Sequence, residues 1–69
     1  MLDNKSLIVL AYLKNYFKTN TKPITALEIN IKELTFDDIE KAIEILVDRG
    51  CITLTEKAYL HPSIESVNY

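Results

Sequence analysis

In 69 residues the sequence has no tryptophan, one glycine, one cysteine, one histidine and two prolines. Each scarcity removes a class of function. One cysteine cannot close an internal disulfide, which suits a reducing compartment and makes the cytoplasm the expected location. One histidine, His61, and one cysteine, Cys51, cannot supply the four nitrogen and sulfur ligands of a structural zinc site, so no metal is expected. A single glycine leaves nothing for a glycine-rich phosphate cradle, and no nucleophile motif is present. No cofactor and no catalysis are therefore expected. Nor is there a basic excess: eight Lys and Arg face ten Asp and Glu, for a formal net charge of -2. A free-standing nucleic-acid binder ordinarily carries the opposite balance, to neutralise phosphates. No apolar run reaches the roughly 20 residues that span a bilayer. The start, MLDNKSLIVLAYLK, has neither a basic stretch before its apolar segment nor a small-residue cleavage site after it, so a signal peptide is not expected.

What the chain does have is apolar residues, 48% of the total. That is generous for a length near the lower limit for an independent core. The expectation is one folded domain over residues 1–69, with no repeat, linker or low-complexity tract.

The spacing predicts a first helix from about Asn4 to Thr19. Leu10, Leu13 and Phe17, with Val9 and Tyr16, fall on one face, and Lys14 and Lys18 lie a turn apart on the other. Leu7, Ile8, Ala11 and Tyr12 widen the apolar surface beyond one face. Two readings stay open for Ile8 and Tyr12: a helix packed on several sides, or a homodimer contact. The polar residues from Thr19 to Pro23 form a loop, and Ile24 pairs as a very short strand. Thr25 with Glu28 has the pattern of a capping box, which predicts a short second helix over Ala26 to Asn30 or Ile31, with Leu27 and Ile31 facing inward. Lys32, Glu33 and Leu34 make the next turn.

The clearest signals run from Thr35 to Ile52. Thr35 is an N-cap candidate, and Asp37 and Asp38 sit where they complement the positive end of a helix dipole. Phe36, Ile39, Ala42, Ile43, Leu46 and Val47 make the apolar stripe. Arg49 lies in the last turn, and Gly50 supplies the left-handed cap. Cys51 to Thr55 then reads as a strand rich in β-branched residues, with Cys51 a buried thiol. Glu56, Lys57 and Ala58 turn the chain, Tyr59 to His61 returns it, and Pro62 ends the return strand. The tail, with Ile64, Val67 and Tyr69, packs back as a short strand or a helical turn. The expected core is Leu10, Leu13, Phe17, Leu27, Ile39, Ile43, Leu46 and Ile52.

This order of elements, with Ile39, Ala42, Ile43, Leu46, Gly50 and Ile52 in the pattern IxxAIxxLxxxGxI, resembles a minimal winged helix-turn-helix domain over about Leu7 to His61. The resemblance implies an α+β fold, with three helices and a C-terminal β-hairpin wing. It also implies DNA binding, with the third helix in the major groove and the wing on the backbone. The sequence departs from that pattern on the outward face of the third helix. Asp37, Asp38, Glu40, Glu44 and Asp48 stand there against only Lys41 and Arg49, a balance that phosphates repel.

Two functions follow as expectations. The first is a non-enzymatic regulatory or adaptor module that binds a protein partner with a basic patch. It would use Asp37, Asp38, Lys41, Glu44, Ile45 and Asp48. Ile45 is then an apolar anchor ringed by charge, although a lone exposed isoleucine needs no explanation. For the acidic residues taken by themselves, the ordinary reading is a solvated helix surface. The alternative function is a DNA-binding regulator whose phosphate contacts are Lys14, Lys18, Lys22, Arg49 and Lys57.

Overall fold

The computed structural model describes residues 3–55 and 63–68. Its elements are helix α1 (Asn4–Thr19), a 3-10 turn (Ala26–Glu28), helix α2 (Phe36–Asp48), strand β1 (Ile52–Leu54) and strand β2 (Ile64–Val67). The fold is α+β: two helices packed on each other and on a two-stranded antiparallel hairpin.

The first helix begins where Asp3, in extended conformation, accepts the Ser6 amide at 2.8 Å. It ends at Asn20, whose backbone and side-chain amides both donate to the Tyr16 carbonyl at 3.0 Å. Val9, Leu10 and Leu13 are buried. Tyr12, Tyr16 and Phe17 are half-buried against the same core, and the rings of Tyr16 and Phe17 meet edge to face at 4.9 Å.

In the second helix the Thr35 hydroxyl accepts the Asp38 amide, while the Asp38 carboxylate accepts the Thr35 amide, both at 3.1 Å. This reciprocal capping box satisfies two of the amides a helix start leaves without partners. At the far end the Cys51 amide reaches the Leu46 carbonyl at 2.8 Å and the Gly50 amide reaches the Val47 carbonyl at 3.0 Å. That pair of bonds is a Schellman motif. It requires the positive φ of 72° at Gly50, where a Cβ costs about 1–2 kcal/mol. The motif turns the chain within two residues, so that Leu46 and Cys51 are both buried.

One expected element differs: the short helix expected after Thr25 is a single 3-10 turn. The Thr25–Glu28 contact forms, with the Glu28 carboxylate accepting the Thr25 hydroxyl at 3.2 Å and its amide at 3.4 Å. Ile24, Ala26 and Ile29 are the buried residues of this segment. Their spacing of two and three does not fit one face of an α-helix, and β-branched Ile29 and Ile31 with Asn30 favour leaving the helix. Leu27, expected in the core, therefore points outward and is 65% exposed. Phe36, expected in the apolar stripe, is also exposed.

The tail takes the first of its two expected forms, a short strand, and supplies the partner of β1. The partner of β1 is Ile64–Val67, with Ile52 opposite Val67, Thr53 opposite Ser66 and Leu54 opposite Ile64 across a bulge. The expected turn at Glu56 to Ala58 and the return strand Tyr59 to His61, with Lys57, lie outside the described residues. Ile64 explains why the later segment pairs. It is fully buried and also exchanges two backbone hydrogen bonds with Ile24, at 2.7 and 3.1 Å. Ile24 is therefore the short strand expected, and β2 lies between it and β1. Asn68 locks this edge: its amide donates to the Cys51 carbonyl at 2.8 Å and its side chain to the Gly50 carbonyl at 3.0 Å.

Candidate functional site

Helix α2 presents three sides. One, carrying Ile39, Ala42, Ile43 and Leu46, is buried in the core. On one flank of it, Ile43 and Val47 form the floor of an open groove, together with Ala26 from the 3-10 turn and Leu54 from β1. Glu40, Glu44 and Asp48 form its wall. These three carboxylates lie at i, i+4 and i+8, on successive turns of one ridge. The groove holds about 390 Å³.

The opposite flank faces the start of α1. Lys5 donates to Asp38 at 3.0 Å, joining the N-terminal ends of the two helices. The Thr35 amide, then the Lys5 ammonium, holds the Asp38 carboxyl below its ordinary range. Asp3 is held low in the same direction by its contact with Ser6 at the start of α1. Farther along this flank a shallow depression is lined by Asp3, Ile45, Asp48 and Arg49.

The residues expected to bind a protein are thus distributed over three places. Glu44 and Asp48 wall the groove. Asp37 and Lys41 are exposed on the outer side of α2. Asp38 is engaged by the cap and by Lys5. Ile45, expected as an exposed anchor, is half-buried instead, in the depression that it lines with Asp3, Asp48 and Arg49. Ile43 is buried and Val47 half-buried against the core, as the apolar stripe implies, but nothing in the local pattern ties Leu54 or Ala26 to the groove floor. The i, i+4, i+8 repeat of Glu40, Glu44 and Asp48 was the signal available.

Lys14, Lys18 and Lys22 are exposed. The Tyr16 hydroxyl donates to the Lys22 carbonyl at 3.1 Å, which holds the Lys22 backbone against the last turns of α1. Arg49 lies at the other end of α1, beside Asp3. Sixteen helical residues separate the two ends by roughly 24 Å. Arg49 is therefore remote from the lysines it was expected to join, and Lys57 lies outside the described residues. Of the expected dimer contact, Ile8 is 38% exposed, whereas Tyr12 is half-buried against the core.

Comparison of the chain with protein-family models, with curated proteins and with solved structures gives no match. Among the described residues, no three His, Cys, Asp or Glu side chains converge so as to hold a metal ion. No helix among them is long and apolar enough to cross a membrane.

Proposed function

We propose that this protein is a small non-enzymatic regulatory or adaptor module of the winged-helix kind, which binds a protein partner through α2 rather than reading DNA with it. The observation that carries this reading is the charge on the solvent side of α2. Asp37, Glu44 and Asp48 are exposed there and Glu40 is half-buried, against Lys41 and Arg49. A helix with that balance is repelled by a phosphate backbone and attracted by a basic protein surface. The winged-helix assignment is supported by the chain order of helix, paired Ile24, helix, Gly50 cap and hairpin, and by the bridge from Ile24 to β2. The 3-10 turn in place of a second helix is a departure from that pattern.

The rival reading, a DNA-binding regulator, has one observation in its favour: Lys14, Lys18 and Lys22 are exposed around the second half of α1. A mobility shift on random duplex DNA at low salt separates the two. Under the proposed reading micromolar protein leaves the duplex unshifted, and Lys14→Glu/Lys18→Glu changes nothing. A shift that falls steeply with salt and disappears in the double variant would replace the adaptor reading by the DNA-binding one.

A further inference from the structure

The groove between α2 and β1 has a chemistry of its own. Among the described residues its floor is apolar, contributed by Ala26, Ile43, Val47 and Leu54 from three elements. Its wall is acidic along its whole length. From Glu40 to Asp48 the ridge runs about 12 Å, with carboxylates roughly 6 Å apart at 1.5 Å per residue. The volume, about 390 Å³, is at the small end of the 300–1,000 Å³ that ligand sites occupy. It admits a few side chains, not a whole helix of about 10–12 Å diameter. A floor that takes apolar side chains beside a row of negative charge selects for an occupant with both apolar and cationic groups at matched spacing.

Resting on the reading of this chain as a protein-binding module, we infer that the groove is the docking site for a short cationic amphipathic helix of the partner. That helix presents lysine or arginine at i and i+4 toward the exposed Glu44 and Asp48, and inserts apolar side chains over Val47 and Leu54. Its 1.5 Å rise per residue matches that of the ridge, so successive cations meet successive carboxylates. The apolar anchors confine water and strengthen the charge pairs at the rim.

The test is a titration of the isotope-labelled protein, followed by amide NMR at low salt, with designed acetylated peptides. One carries Lys at i, i+4 and i+8 with Leu at i+1 and i+5; a second has Glu for Lys; a third has Ser for Leu. The expected result is saturable binding of the first peptide, with shifts concentrated at Ala26, Ile43, Val47 and Leu54. Each of the other two peptides should bind at least about tenfold more weakly, as should the first peptide to Glu44→Lys/Asp48→Lys, a factor equivalent to about 1.4 kcal/mol. Both substituted residues are exposed, so the variant keeps the native amide spectrum.

Equal binding of the Ser peptide, or of spermidine in its place, would overturn the inference, because the floor would then not be used. Shifts confined to Asp37, Lys41 and Ile45 would overturn the groove while leaving α2 as the binding helix. A mass that doubles with concentration and is halved by Glu44→Lys/Asp48→Lys would assign the groove to a second copy of the chain instead. Absence of any response along α2, together with a DNA shift that depends on Lys14 and Lys18, would remove both the inference and the adaptor reading.

Discussion

Asp38 joins two elements through one carboxylate. It accepts the Thr35 amide that opens α2, and it accepts the Lys5 ammonium from the first turn of α1. Both contacts favour the ionised form, so its pKa in the folded chain lies below the ordinary value of 3.8. A depressed folded-state pKa means that the stabilisation is fully present above that ordinary value. It is lost as pH falls through the lower, folded value. Asp38→Asn keeps an acceptor for the Thr35 amide and removes the charge. At neutral pH it should therefore melt below the parent, and the two melting curves should converge as pH drops below about 4. Calorimetry or circular dichroism across that range checks this; curves that stay parallel down to pH 2 would show that the charge does not act through folding.

At the scale of elements, α2 is the member on which the others are assembled. Leu46 is fully buried in its last turn and takes part in the Schellman turn through its carbonyl. Leu46→Ala should destabilise the fold by about 2–5 kcal/mol, a cost made of lost transfer free energy and a residual cavity. For a domain whose total stability is of the order of 5–15 kcal/mol, that is a large share. Urea unfolding should show a lower midpoint with an unchanged slope; a loss under 1 kcal/mol would mean that the site collapses around the truncation.

Elements that announce themselves locally were legible in the sequence. The bounds of α1, the Thr35 cap and the Gly50 stop could be read because caps, stripes and the αL glycine act within a few residues. The 3-10 turn and the position of β2 were not legible in the same way. The first is set by the need to bury both Ile24 and Ile29, and the second by the long-range pairing of Ile64 with Ile24, two demands of tertiary structure that override local propensity. Within the candidate site, the charges on α2 were visible, but the groove floor as a whole was not. Leu54 and Ala26 are brought to one flank only by packing.

The molecule as a whole presents two unlike helix surfaces. On α1, Leu7 is 47% exposed and Ile8 38% exposed, with Ala11 exposed beside them. Such a patch is more apolar than the surface around it and fits association through a two-fold axis. The proposal that the chain forms a homodimer through this patch predicts a concentration-dependent mass above that of one 7.9 kDa chain in sedimentation. Ile8→Asp enters an isologous interface twice and should return the protein to a monomer without lowering its helicity. A constant monomer mass at tens of micromolar would reduce Ile8 to an ordinary surface residue.

The bond pair between Ile24 and Ile64 also bears on how the protein is made. On a ribosome, Ile24 leaves the exit tunnel long before Ile64, so the first helix and its loop wait in water for a strand not yet synthesised. Until then the Ile24 amide and carbonyl lack these partners, and Leu13 and Leu46 lack part of the cover they have in the finished fold. Closing so long a loop is entropically costly before any contact rewards it. The hairpin is thus the step that converts a nascent, half-formed helical pair into a folded domain. Folding during synthesis is therefore completed only after β2 has left the ribosome.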